Sequence, residues 1–278
     1  MNVVMTVAGS DSGGGAGIQA DLKTFQELGV FGTAATTALT AQNTLGVEGI
    51  FPVTPEFVTL QMKAVFADFH VKVVKTGMLF AAEIIEVVAK ELAAQEVKLI
   101  VDPVMIAKGG AALLKPSAVE ALITDLLPLA TIITPNIPEA QVISKMEITN
   151  EKSLYQAAKH ILGMGIQAVV MKGGHLEGKL AQDMVFLADG TIFSMSSPRI
   201  KTKQTHGTGC TFSAAVTAFI GQGMALEAAI IEAKRFVQLA IEKPLNLGHG
   251  HGPTNHFAYQ QAKEFRPDIE VERMDRWK

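Results

Sequence analysis

Six short apolar runs, rich in β-branched residues, recur along the chain, with amphipathic stretches between most of them. The runs are VVMTVA (3–8), AATTAL (34–39), VKVVK (71–75), KLIVD (98–102), TIITP (131–135) and AVVMK (168–172). Near-continuous apolarity marks strands covered on both faces, as in parallel sheets. The stretches at 18–28, 55–68, 81–95, 116–127 and 152–164 carry Ala, Leu, Glu and Lys at helical spacing. This alternation predicts an α/β fold, a mostly parallel central sheet with helices on both faces. DMVFLADGTIFSM (183–195) reads as a hairpin around an Asp-Gly turn, and helices follow at roughly 209–221 and 225–242. Neither a Pro/Gly-rich linker nor a repeat of about 20–50 residues divides the chain. A single domain over 1–278 is expected, with about 265–278 as a peripheral tail.

Hydrophobic residues make up 48% and charged residues 18%, enough apolar material for a large core, which argues against disorder. A formal charge of −3 supplies no basic field for nucleic acid or an anionic membrane. One cysteine rules out an internal disulfide, as suits a reducing cytosol. The apolar start is too short for a signal peptide and lacks a basic flank, and no run reaches the ~20 apolar residues of a membrane span. A cytoplasmic protein is expected.

In open α/β sheets, ligands bind at the carboxyl ends of the strands. Polar and glycine-rich segments gather there: GSDSGGGAG, QNT, TGM, DPVM, PNIPE and KGGH follow the six runs in turn. Gly15, Gly17 and Ala20 satisfy a loose dinucleotide fingerprint, but TALTAQNT offers no carboxylate for the ribose. A P-loop is absent, so any phosphate site is built otherwise. HGTGCTFSAA is the candidate. Gly207 and Gly209 let the amides of 207–210 converge at a helix start, where the dipole favours an anion. Cys210 there is expected to have a lowered pKa and to meet a substrate hydroxyl; the alternative is a buried structural thiol.

Asp102, Asn136 and Glu139 are oxygen donors of the kind Mg²⁺ prefers. Asn136 and Glu139 equally read as a helix start with an acidic first turn. Lys172 ends an apolar strand, where burial demands a partner such as a nucleotide phosphate; the alternative is a surface lysine. Asp21 either reaches a ligand above the glycines or sits solvated near a helix N-terminus. Met78 follows a strand end and is expected to pack on a flat ring. GHGHGPTNH, with His249, His251 and His256, lacks a zinc-site pattern and is expected to be a loop covering the site.

Together these segments resemble the hydroxymethylpyrimidine/phosphomethylpyrimidine kinases of thiamine biosynthesis, within the ribokinase-like superfamily. The likeness runs from TVAGSDSGGGAGIQADLKTFQELGVFG through TALTAQNT, KTGML, VDPVM, ITPNIPEA, MKGGH and THGTGCTFSAA to GHGPTNH. It implies a ribokinase-like, Rossmann-type three-layer α/β/α sandwich, ATP and Mg²⁺ as cosubstrates, and a homodimer. Carried over by position, it assigns Gln42 to the pyrimidine edge, an amide being both donor and acceptor. Asp21, Met78, Gly9, Ala16 and Val104 join it around the substrate. Gly207, Thr208, Gly209 and Cys210 form the anion hole, with Cys210 beside the attacking hydroxyl. Lys172, Asn136, Glu139, Thr205 and His206 face the nucleotide, and Asp102 and Glu139 the metal. Many ribokinase-like enzymes carry an aspartate base where this chain has Cys210.

The implied reaction phosphorylates 4-amino-5-hydroxymethyl-2-methylpyrimidine on its hydroxymethyl oxygen, then the resulting monophosphate. Pyridoxal, pyridoxine and pyridoxamine, with a flat ring and a hydroxymethyl arm, are the rival substrates. A nicotinamide-dependent oxidoreductase and a non-catalytic vitamin sensor are rivals of other classes.

Overall fold

The structure is a computed structural model, describing residues 1–105, 114–173, 178–262 and 267–274. The chain begins with β1 (Val3–Asp11), α1 (Gly17–Glu27), β2 (Phe31–Gln42), β3 (Val47–Pro52), α2 (Pro55–Asp68), β4 (Val71–Thr76), α3 (Ala82–Ala93) and β5 (Lys98–Val101). Next come α4 (Pro116–Ala121), β6 (Ile132–Ile133), α5 (Ile137–Ser144), α6 (Glu151–Leu162) and β7 (Ala168–Lys172). The last third holds β8 (Leu180–Leu187), β9 (Ile192–Pro198), α7 (Thr208–Gly221), α8 (Leu226–Glu242), α9 (Ala258–Gln261) and β10 (Glu270–Met274).

The described strands form one sheet in the order β10-β9-β8-β7-β6-β5-β4-β1-β2-β3. Pairing is parallel from β2 through β1, β4, β5 and β6 to β7, and antiparallel outside that span. β1 leads to β2 on one side, and the chain then returns to its other side as β4. The strand order therefore reverses between β1 and β4, where a crevice opens in such sheets.

Alternate strand residues feed two cores. Met5, Val7, Val74, Leu99, Val101 and Ile133 pack on one face with residues of α2 to α6. Val4, Val73, Ile100, Ile132, Ala168 and Val170 pack on the other with α1, α7 and α8. This is the three-layer sandwich expected. α7 is buried from Thr211 to Gly221, and its small side chains bring it close to the sheet. A Cβ on Gly221 would meet Val4 Cγ1 at 2.6 Å.

The six expected strands and the hairpin are present, the turn falling at Asp189–Gly190, where Gly190 has φ +87. The helix expected over 116–127 is α4 continued by a wider turn over Leu122–Leu126. β3, α9 and β10 were not anticipated. In the expected tail, residues 270–274 are β10, which pairs with β9 at the sheet's edge. Gly174 and His175 of the KGGH segment lie outside the described residues.

Candidate active site

The crevice at the carboxyl ends of the strands holds a pocket of about 570 Å³. Every site residue expected from the sequence lines it except Asp21.

Two glycine-rich segments far apart in sequence meet in its wall. Gly207, at the start of α7, has φ +81, and a Cβ on it would lie 1.7 Å from the Gly15 carbonyl oxygen. Only glycine fits. Gly17 is in the same position, since its Cβ would come 2.2 Å from the Gly9 oxygen. These contacts set the first turn of α7, whose leading amides lack acceptors within the helix, against the loop after β1. A Cβ on Gly209 would stand 3.4 Å from Lys172 Nζ and 3.5 Å from Asp102 Oδ2, so helix start, ammonium and carboxylate converge.

Lys172 is not the surface lysine a strand end permits. Its Nζ lies 2.9 Å from Asp102 Oδ1. Burial opposes its charge, but the Asp102 and Glu139 carboxylates hold the ammonium above the ordinary lysine range. Asp102 is buried and also accepts from Thr134 Oγ1 at 3.3 Å and Ser213 Oγ at 3.4 Å. Asn136 and Glu139 form a capping box on α5: Glu139 N–H donates to Asn136 Oδ1 and Asn136 N–H to Glu139 Oε2, each at 2.9 Å. Glu139 Oε1 accepts from Met105 N–H at 3.3 Å. Burial, with the Asp102 charge adding to it, pushes the Glu139 carboxyl above its usual range against the pull of Lys172. Among the described residues no three His, Cys, Asp or Glu side chains cluster as a metal cage.

Cys210 departs from expectation. It is half-buried in the pocket wall, but its thiol is pushed up to about 11 rather than lowered. Burial dominates, and the Asp21 and Asp102 charges add to it; Lys75 and a backbone hydrogen bond from Gly17 pull the other way and lose. The helix-start argument underestimated desolvation.

Asp21 is the second departure. It is neither solvated nor in the pocket wall: it is fully buried, with Lys75 Nζ at 2.8 Å and Thr6 Oγ1 at 2.6 Å from Oδ2. Lys75 was missed, although it ends an apolar run just as Lys172 does. Asp11 was missed as well. Its Oδ1 accepts from Gly13 N–H at 2.8 Å, and its Oδ2 from Gly15 and Ala16 N–H at 3.0 and 2.9 Å, shaping the loop. His206, expected to face the nucleotide, lines the pocket with its ring bonded to Asp11 at 2.9 Å and Gln42 at 3.2 Å. Gly9 lets Met78 lie against it, since a Cβ there would meet Met78 Cε at 2.5 Å.

The histidine-rich segment braces this wall. Gly250 N–H donates to Thr44 Oγ1 at 3.2 Å and His251 N–H to the Thr44 carbonyl at 2.8 Å, beside the β2–β3 turn. His206 N–H donates to Gly252 O, and Thr254 N–H to His206 O. His249 and His251 are exposed, while His256 is buried against Thr211. At the far end of the pocket, Lys234 Nζ lies 2.7 Å from Asp183 Oδ2, whose other oxygen accepts from Gly173 N–H at 3.0 Å. Pro198, Val237 and Ile241 make that end apolar.

The arrangement sets the glycine-rich start of α7 in one pocket with Gln42 and Val237. The chain is similar in sequence and fold to proteins named as kinases. The family model described as phosphomethylpyrimidine kinase matches residues 11–255. The hydroxymethylpyrimidine/phosphomethylpyrimidine kinase of Haemophilus influenzae is 55% identical over 93% of this chain and 97% of its own length. Its counterpart in Bacillus subtilis is 50% identical over 92% and 95%. The pyridoxal kinase of Staphylococcus aureus, solved in complex with AMP-PCP and pyridoxal, superposes with a TM-score of 0.89 at 34% identity over 99% of both chains. With relatives this close along nearly the whole sequence, the chain belongs to the phosphomethylpyrimidine kinase family.

Proposed function

We propose that this kinase transfers the γ-phosphoryl group of ATP to the hydroxymethyl oxygen of 4-amino-5-hydroxymethyl-2-methylpyrimidine, and then phosphorylates the monophosphate. The observation that carries the reading is the α7 start, where Gly209 stands beside Lys172 and Asp102 and is followed by Cys210. The amides of 207–210 cradle the migrating phosphoryl, and Lys172 offsets its charge. Gln42 and Met78 hold the ring, and the nucleotide base occupies the apolar end by Val237 and Ile241.

A loose phosphoryl-transfer transition state needs alignment and charge stabilisation more than a strong base. A thiol with a pKa near 11 meets that need: protonated at neutral pH, it hydrogen-bonds the hydroxyl and aims it at the phosphorus. Asp102 and Glu139 already hold protein partners, so they suit a Mg²⁺ that arrives on the phosphates and keeps its waters. Held there, that ion would supply charge neutralisation to the phosphates.

The likeness to the Staphylococcus aureus enzyme supports pyridoxal as a second acceptor. In the cytoplasm, one domain carries the whole site. Two copies pair through β3, an edge strand that exposes Ile50 and Phe51. Incubation with ATP, Mg²⁺ and the pyrimidine alcohol should yield ADP and the phosphomonoester; no product overturns the reading. The ratio of kcat/KM for that alcohol and pyridoxal ranks the two.

A further inference from the structure

His206 Nε2 lies 2.9 Å from Asp11 Oδ2 and 3.2 Å from the Gln42 amide nitrogen. On the other side, Gln42 Oε1 is 3.2 Å from Thr40 Oγ1, which is itself 2.9 Å from the Ser10 carbonyl oxygen. Hydrogen-bond roles in this chain are tightly constrained. Asp11 Oδ2 already accepts from the Gly15 and Ala16 amides. Burial works against the ionised Asp11, yet His206 and the Gly13 and Gly15 amides hold its carboxyl below the usual range. A carboxylate only accepts, so His206 Nε2 must carry a hydrogen to bond with it.

An N–H facing the Gln42 NH₂ group would set donor against donor. The oxygen and nitrogen of an amide exchange places by a half turn of its terminal torsion, and the network decides between them. With the amide turned, every group is matched. Thr40 O–H donates to Ser10 O, Gln42 N–H donates to Thr40 Oγ1, and the single His206 Nε2–H is shared between Asp11 Oδ2 and Gln42 Oε1 as a three-centre bond.

We infer that Asp11, acting through His206, fixes the Gln42 amide in this one polarity and so selects the ring bound against it. His206 is well placed for the task. Its main chain is tied on both sides to Gly252 and Thr254, and its ring packs over Gly15, where a Cβ would meet Cδ2 at 2.7 Å. The held amide keeps one N–H and one oxygen lone pair for the ligand. That pair complements a ring nitrogen beside an exocyclic amine, the edge an aminopyrimidine presents; a hydroxypyridine lacks the amine donor. Asp11 and His206 are positioning residues: they set the amide that meets the substrate. The inference deepens the pyrimidine reading and rests on it.

Two measurements test it. In the unliganded protein, long-range ¹H–¹⁵N correlation should show His206 protonated at Nε2; a bare Nε2 overturns the relay, whichever ring the pocket prefers. Calorimetry with the pyrimidine alcohol then compares wild type, Gln42→Ala, His206→Leu, His206→Gln and the Gln42→Ala/His206→Leu double variant. His206→Leu should weaken binding about tenfold, the scale of one hydrogen bond lost beside a ligand, and lower the pyrimidine-to-pyridoxal kcat/KM ratio similarly. His206→Gln, which can place an N–H near the same point, should stay within about threefold of wild type, and ATP KM should move less than about twofold. The double variant should bind no more weakly than Gln42→Ala, because His206 acts through Gln42. Independent losses, or wild-type binding by His206→Leu, overturn the inference. A wild-type protein that binds no pyrimidine alcohol sinks the substrate reading instead, and the tautomer still judges the relay.

Discussion

Lys75 Nζ lies 2.8 Å from Asp21 Oδ2, and neither side chain reaches solvent. The pair joins β4 to α1 beneath the pocket, with Thr6 completing the carboxylate's bonds. Burial opposes the lysine charge, but Asp21 holds the ammonium above the ordinary lysine range. Removing one partner strands the other as an uncompensated buried charge. Lys75→Met or Asp21→Asn should therefore cost about 3–5 kcal/mol in urea unfolding. The double variant Lys75→Met/Asp21→Leu should recover most of that loss. Single variants as stable as wild type would show that the pair is not what holds β4 to α1.

Lys75 also shows how far the sequence could be read. The central strands and most helices were legible because burial on both faces leaves unbroken apolar runs, as in AVVMK. The edges were not. All six residues of β3 are exposed and include Gly49 and Pro52, so VEGIFP carries no period. β10 reads EVERM, the charged composition that keeps an edge strand from pairing with other chains. At the site, motif residues were visible, but partners were not: nothing in ADL or VKT says that Asp21 and Lys75 meet.

Cys210 gives a pH prediction. Its pKa is about 11, above the ordinary thiol value, so the thiolate is scarce at neutral pH. Alkylation by iodoacetamide should climb steadily from pH 7 to pH 10 without a plateau; a rate already flat at pH 7 would reveal a standing thiolate. Cys210→Ala should lower kcat about 100-fold, the low end for a positioned proton-handling group, with ATP KM within about twofold.

His256 sits buried under the start of α7, with Thr211 Oγ1 3.1 Å from its Nε2. Burial, aided by the Lys23 charge, lowers its pKa to about 4. The unfolded chain, titrating near 6.5, then binds the extra proton first. Stability is unaffected by this group above pH 6.5 and falls as pH drops toward 4. The loss reaches about 3 kcal/mol and levels off below that. Urea midpoints between pH 7.5 and 4.5 should fall less steeply for His256→Gln than for wild type; parallel slopes would exonerate the histidine.

β3 offers the fourth test. Phe51 and Leu39 are cross-strand partners, 69% and 49% exposed, on the sheet's edge. Contiguous apolar surface of this kind marks an interaction face. Phe51→Lys should convert a dimer into a monomer in sedimentation velocity while leaving the far-UV spectrum unchanged. A wild-type monomer at micromolar concentration would refute pairing through this strand.

The fit of Gly207 against the Gly15 carbonyl has a consequence for synthesis. Residues far apart in the polypeptide complete one wall, so on the proposed reading a chain still emerging from the ribosome has no place to hold a phosphate until α7 has been made and docked. Prematurely terminated products lacking that helix are expected to be inert toward nucleotide, and the cell gains nothing from making part of this enzyme.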